Sequence, residues 1–369
     1  MNIRFLVTAG LMALAPLTMA QTIPEQADAQ AAAYTPEIGR EAVTKLAEEI
    51  EANFVFADIA KLYGARLREQ LAAGAYDIHT EASALAQAVT ADLQTVAPDG
   101  HLRMFAGDPQ GAGQPSSTPP TGNRPPAPPA MEQAVMIAPG IAFVRFNAFM
   151  GDPKILKDFT TFLDANQGAK TLIIDARTHG GGGLDEMDVL FPRIFDTPRT
   201  VMVMDTRASV AEQRGPLPFR TLFRVDAPRE YHRFEHRVSP NSPSSPWARA
   251  KIYYLTSGRS ASAAEHLAMV LKGTGRGTLV GATTYGAGHY GGLRELPGGF
   301  TVFIPYGRSY YPGGQGWEQV GVAPDIAVAP ERALVKVLAL EGVAAADAER
   351  LSAMHAPTGS MQRRRPAAR

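Results

Sequence analysis

Two short stretches carry residue types that can do chemistry. The first is Thr256-Ser-Gly-Arg-Ser-Ala-Ser-Ala-Ala-Glu265, in which small residues follow the apolar run Ile252-Tyr-Tyr-Leu and precede a helical pattern. A tight strand-to-helix turn of this composition presents a hydroxyl at a helix N-terminus, where the helix dipole favours developing negative charge. The same serines could equally serve as N-caps. The second is Asp175-Ala-Arg-Thr-His179 followed by four glycines, after the apolar run Thr171-Leu-Ile-Ile. Consecutive glycines let backbone approach a ligand and leave N–H groups pointing at an anion. No Gly-Lys-Ser/Thr follows, so a phosphate loop is not indicated. The chain has no cysteine. That removes disulfides, thiolate metal sites and cysteine nucleophiles together, and any nucleophile must be an oxygen or a lysine.

The elements that would position these turns form an alternating series. Ile141–Phe146 reads as a strand, Lys154–Ala165 as a helix, Thr171–Asp175 and Ile252–Thr256 as buried strands, Ser262–Lys272 as a helix and Thr278–Gly281 as a strand. Such alternation predicts a largely parallel sheet covered on both faces over residues 134–330. Upstream, Ile38, Val43, Leu46, Ile50 and Phe54 recur at helical spacing behind Thr35-Pro36, a start signal. Further helical patterns run from Asp58 to Leu71 and from Glu81 to Val96, so residues 35–105 are expected to form a small helical domain. Between these blocks, residues 106–133 include Gly107-Asp-Pro-Gln-Gly-Ala-Gly-Gln-Pro-Ser-Ser-Thr-Pro-Pro and Arg124-Pro-Pro-Ala-Pro-Pro, the composition of a linker. Residues 331–369 are expected to give a C-terminal helix and a disordered tail.

Arg4, the uncharged apolar run Phe5–Leu17 and small residues at Thr18 and Ala20 form the pattern of an export signal over residues 1–20. The run is shorter than the ~20 apolar residues a membrane span needs. The expectation is an exported, periplasmic or secreted protein with no membrane span after cleavage. The chain has 369 residues, about two domains' worth, and 36 basic against 36 acidic side chains. Zero formal charge gives no footprint for nucleic acid.

These segments, taken in order, resemble the family of C-terminal processing proteases, tricorn core protease and interphotoreceptor retinoid-binding protein. The family's Asp-x-Arg-x-Asn-x-Gly-Gly is similar to Asp175, Arg177, His179, Gly181 and Gly182, with His179 in place of asparagine. Its Ser-Ala-x-Glu followed by Val-Gly-x-x-Thr-x-Gly matches Ser262-Ala-Ala-Glu265, Val280-Gly281, Thr284 and Gly286. Its acidic residue before Gly-Val-x-Pro-Asp-Ile matches Glu318 in Trp317-Glu-Gln-Val-Gly-Val-Ala-Pro-Asp-Ile326. Asn53-Phe-Val-Phe-Ala-Asp58 and Asp99-Gly-His-Leu102 resemble the N-terminal domain of the retinoid-binding-protein-like branch.

The resemblance implies an α/β fold, with a ClpP/crotonase-like core and a small N-terminal helical domain. It implies a serine peptidase acting on peptide or unfolded protein, without cofactor or metal. The processing-protease branch places a lysine just past the Thr-x-Gly element, but Ala287 stands there, and no lysine lies between Lys272 and Lys336. The tricorn-like Ser–His–Glu arrangement is then the expectation: Ser262 as nucleophile, His101 as base and Glu318 as its orienting acid. The oxyanion donors would be the N–H groups of Ala263 and Gly181. His289, two residues past the vacated lysine position, is the other histidine placed to act as base. His179 is expected to be structural or to line the substrate site, and Asp175 with Arg177 to be a structural pair. His232 and His236 are expected at the surface. The alternatives are a non-catalytic module holding an apolar ligand on the same fold, and an esterase using the same serine.

Overall fold

A computed structural model describes residues 34–107, 128–215, 217–241, 245–314 and 316–362. The expected export signal and most of the Pro-rich segment lie outside the described residues. The chain opens with helices α1 (Pro36–Asn53), α2 (Ala57–Ala72) and α3 (Ala82–Val96), then the short strand β1 (Arg103–Ala106). Thr35 caps α1 by accepting the Ile38 N–H at 3.4 Å, and Pro36 takes the first helical position. Val43, Leu46 and Ile50 form the buried stripe. The next elements are β2 (Met131–Ala138), β3 (Ile141–Phe146), α4 (Pro153–Ala165), β4 (Thr171–Asp175), α5 (Asp185–Ile194), β5 (Arg199–Arg207), α6 (Ala208–Arg214), β6 (Leu222–Val225) and β7 (Tyr231–Val238). They are followed by α7 (Pro246–Arg249), β8 (Lys251–Thr256), α8 (Ala263–Gly273), β9 (Thr278–Gly281), β10 (His289–Leu296), β11 (Phe300–Tyr310), β12 (Ile326–Ala327), α9 (Ala333–Leu340) and α10 (Ala345–Met354). Strand β2 thus begins inside the segment expected to be a linker. The C-terminal region holds two helices rather than one, and residues 355–356 are tied to the core through Arg145.

The strands make two sheets. One runs β12-β9-β8-β4-β3-β2 and is parallel except for β2. Its central strands β3 and β4 are buried along their whole length. Ala142 and Val144 face α4, α5, α8 and the second sheet, while Ile141 and Phe143 face α9 and α10. Alternate residues therefore feed two cores, as a parallel sheet covered on both sides requires. The second sheet is antiparallel, β1-β11-β5-β7-β6 with β10 also on β11. The alternation in sequence did not point to it: its strands hold apolar residues such as Val201-Met-Val-Met204 and Val302-Phe-Ile304, but charged residues such as Asp205, Arg233 and Arg308, which pair across strands, interrupt the pattern.

Helices α1–α3 do not form a core alone. They pack with Leu296, Phe300, Val302 and Ile304 of the antiparallel sheet, and Val55 donates to the Pro305 carbonyl at 2.9 Å. This packing brings residues 99–101, which follow α3, to the loop before β10.

Asp175 at the end of β4 is fully buried between two guanidinium groups. Arg145 Nε donates to it at 2.8 Å, and Arg177 donates through Nε at 2.9 Å and Nη2 at 2.8 Å. Burial alone would raise this carboxyl, but the charges and hydrogen bonds of Arg177 and Arg145 hold it below the usual range. Removing one member of a buried cluster strands the remaining charge. Asp175→Ala is expected to cost about 3–5 kcal/mol of unfolding free energy, read from urea denaturation. A lowered folded pKa gives stability that is present above the unfolded value and lost as pH falls. The gap between wild type and variant should therefore narrow as the solution is acidified.

Candidate active site

Strands β4 and β8 are neighbours, so the turns leaving their carboxyl ends meet, as ligand sites of open parallel sheets do. The meeting is fastened by hydroxyls. Ser257 Oγ donates to the Arg177 carbonyl at 2.5 Å and Ser260 Oγ to the Ala176 carbonyl at 2.7 Å, and both serines are buried. Their side chains are consumed as fasteners. Ser262 differs: it stands at the head of α8 with φ 58° and ψ −116°, a backbone shape rare outside glycine and costly for a side-chain-bearing residue.

Glu265 holds this turn to the segment before β10. Its buried carboxylate accepts from the Ser262 N–H at 2.8 Å, Thr284 Oγ1 at 2.6 Å, the Gly286 N–H at 2.7 Å and the Ala287 N–H at 2.8 Å. Burial pushes its pKa up, and these four donors offset part of the shift.

The glycine run approaches Ser262 closely. A Cβ on Gly181 would meet the Ser262 Cβ at 2.9 Å, and one on Gly182 would overlap the Phe149 carbonyl oxygen at 1.9 Å. Gly181 and Gly182 also have φ of 118° and 133°, so both positions require glycine. The Gly181 N–H, expected to face an oxyanion, instead donates to His179 Nδ1 at 3.0 Å. His179 is wholly buried against Phe149, and burial pushes its pKa down to about 3, so it is a neutral acceptor. The N–H groups of Gly182 and Ala263 take no part in the hydrogen bonds of the described residues.

The two candidate bases occupy different surroundings. The His101 ring stacks on Phe303 at 5.2 Å, and its backbone N–H is accepted by Asp99 Oδ1 at 2.8 Å. His289 Nδ1 meets Asp99 Oδ2 at 2.7 Å, with the rings of Phe54 and Phe56 edge-on beside it. Glu318 accepts from the N–H groups of Gly100 at 2.6 Å, Gly288 at 2.6 Å and His289 at 2.9 Å, and its Oε2 lies 3.7 Å from His289 Nδ1. Glu318 thus braces the backbone on both sides of the Asp99–His289 contact. Burial lowers the His289 pKa, but the hydrogen bond and charge of Asp99, with Glu318, outweigh it and raise the pKa above the ordinary value. Burial alone would raise Asp99, yet His289 and His101 hold it below the usual range. Burial and the Asp99 charge push Glu318 up. Among the described residues only Asp99, His289 and Glu318 have the spacing of a metal-ligand group, and these atoms already bond to one another or to backbone N–H groups.

Ser262, Ala263, Gly182 and His289 line one cleft of about 400 Å³, together with His266 and Trp317. His101 is not in its wall. A second hollow of about 440 Å³, lined by Phe56, Arg308 and Glu318, shares Gly288, His289 and Ser309 with the first. His289 therefore stands between two cavities.

His236, expected at the surface, is wholly buried on β7. Its Nδ1 meets His266 Nε2 at 3.1 Å, which places a histidine pair behind the cleft wall. Burial, with His236 beside it, pushes His266 well below the ordinary value.

Residues 140–328, about half of the chain, match the model of peptidase family S41. The chain belongs to peptidase family S41. Residues 30–138 match the N-terminal domain that precedes the S41 region in eukaryotic interphotoreceptor retinoid-binding protein. Among curated S41 relatives, a chloroplastic C-terminal processing peptidase of Tetradesmus obliquus is 28% identical over 179 residues, 48% of this chain and 32% of that one. A carboxyl-terminal-processing protease of Picosynechococcus is 25% identical over 193 residues, 52% of this chain and 40% of that one. The alignments thus span well under half the length of these relatives. Among solved structures, the photosystem II D1 C-terminal processing protease superposes with a TM-score of 0.51 at 15% identity, covering 86% of this chain and 98% of that one. That likeness establishes the S41 fold.

Proposed function

We propose that this S41 chain is an exported serine peptidase in which Ser262 is the nucleophile, His289 the general base and Asp99 the residue that positions the imidazole. The observation that carries the reading is the 2.7 Å Asp99–His289 bond beside the cleft that Ser262 also lines. With Nδ1 committed to Asp99, Nε2 is the nitrogen left to take the serine proton. Ser262 Oγ attacks the peptide carbonyl, and His289 accepts the Oγ proton. The developing oxyanion is met by the N–H groups of Ala263 and Gly182, the latter in place of Gly181. The tetrahedral adduct collapses as His289 returns the proton to the leaving amine. Water, deprotonated by His289, then hydrolyses the acyl ester and restores Ser262. Glu318 replaces Asp99 as the orienting acid in the expected scheme, but here its oxygens fix the backbone of Gly100, Gly288 and His289. The substrate class follows from family membership, a peptide or unfolded protein. Export to the periplasm or beyond rests on the signal pattern of residues 1–20.

A fluorophosphonate probe tests the nucleophile directly. Folded wild-type protein is expected to be labelled at Ser262 and the Ser262→Ala variant not at all. Wild-type protein that stays unlabelled would return the chain to the class of binding modules.

The Asp99 assignment has a pH signature. The base must be neutral, so kcat/KM rises with pH through the raised His289 pKa. Asp99→Asn removes the charge that raises it and leaves burial, which lowers it. The acid limb should move to lower pH while kcat falls by on the order of 10⁴-fold, the loss seen when a triad acid is replaced by its amide. An unmoved limb would detach Asp99 from the base.

A further inference from the structure

We infer that Arg214 makes the cleft selective for peptides that carry a carboxylate close to the bond to be cut. The inference rests on the peptide-cleft reading above. Arg214 closes α6 and lines the same cleft as Ser262 and His289. Its guanidinium lies 4.9 Å from the centre of the Tyr306 ring, and Nη1 donates to the Tyr306 hydroxyl at 3.0 Å. Tyr306 is itself buried, so the ring is a fixed platform. Gly292 of β10 lies below it, where a Cβ would come within 3.3 Å of Nη1. Among the described residues no carboxylate lies within 4.0 Å of this guanidinium, whereas Arg233 and Arg308 of the same sheet are neutralised by Asp205.

A guanidinium carries five donors in a planar fork, and one bond to Tyr306 leaves most of them available. Stacking on an aromatic ring holds that fork in one orientation, so little side-chain freedom is lost when an anion arrives. The neighbouring wall is apolar, with Leu184, Met204 and Trp317. A peptide that fills it displaces water from around the arginine and strengthens a charge-assisted pair that in open solvent would be weak. The chemistry recognised is therefore a carboxylate beside an apolar residue. It can come from an acidic side chain or from the free C-terminus of the peptide.

Equilibrium binding to the full-length Ser262→Ala protein tests this without requiring turnover. Two pairs of fluorescent hexapeptides are compared by anisotropy at low salt. One pair differs only as Glu against Gln, the other only as free acid against C-terminal amide. At least one carboxylate peptide is expected to bind roughly tenfold tighter than its neutral partner. The preference should vanish when Arg214→Gln is added and invert with Arg214→Glu, in proteins whose melting temperatures match the parent. The pair that shows the effect identifies the source of the carboxylate. Equal affinity within both pairs, or a preference that survives Arg214→Gln, overturns the inference. Failure of wild-type Ser262 to react with fluorophosphonate, alongside an intact Arg214-dependent preference, would sink the nucleophile reading and leave this one standing.

Discussion

His289→Ala is expected to lower kcat by roughly 10⁴–10⁶-fold, the loss that follows removal of a base acting as a unit with its serine. His101→Ala should leave kcat within about tenfold of wild type, because its ring stacks on Phe303 outside the wall of the cleft that Ser262 and His289 line. Steady-state kinetics on a fluorogenic peptide, with the fold checked by circular dichroism, decides between the two. His289→Ala should also abolish the acid limb of kcat/KM, since the imidazole that titrates is gone. Full activity in His289→Ala with loss in His101→Ala would restore the Ser262–His101–Glu318 scheme that the resemblance suggests. Loss in neither would remove histidine from the mechanism.

The second large effect is at Ser262. Ser262→Ala should abolish acyl-enzyme formation and cut kcat by on the order of 10⁶-fold. Stability should barely change, because the alanine keeps the strained backbone. Ser262→Gly is equally inactive but relieves that strain. With φ at 58° and ψ at −116°, a side-chain-bearing residue is held at a cost of about 1–3 kcal/mol. Ser262→Gly should therefore unfold at a higher urea concentration than Ser262→Ala, by about 1 kcal/mol or more. Equal midpoints would mean that the turn is relaxed with serine in place.

The α/β core was legible because strands such as Leu172-Ile-Ile174 are too apolar for a surface and too short for helices, and each ends in a turn-forming cluster. The turn that carries the proposed nucleophile was legible for the same reason, since small residues between an apolar strand and a helix have few uses. The antiparallel sheet was not legible. Its strands mix apolar residues with scattered charges, and only in three dimensions does Asp205 meet Arg233 and Arg308. The partner of the proposed base was hidden by distance. Asp99 reaches His289 across 190 residues, and no local pattern encodes that closure. The Asp99-Gly-His101 triplet drew attention to His101, while in the fold it is the Asp99 carboxylate that reaches His289. Asp99 uses Oδ1 to hold the N–H groups of His101 and Leu102, and Oδ2 to reach His289. Gly181 shows the same limit, since its N–H donates to His179 in the fold. A glycine run shows that N–H groups are available, but which one is consumed depended on His179, where the family pattern has asparagine.

The 190-residue span between Asp99 and His289 makes the proposed activity a property of the finished molecule. A chain still emerging, or one whose first three helices have come away from β11, holds a serine without an oriented base. Such an intermediate cannot digest its neighbours or itself. Closing so long a loop is entropically costly and comes late in folding. Competence then arrives as one of the last events of folding. On heating, the order reverses: the Asp99 tether is lost with the helices, and hydrolysis stops while the parallel sheet is still intact.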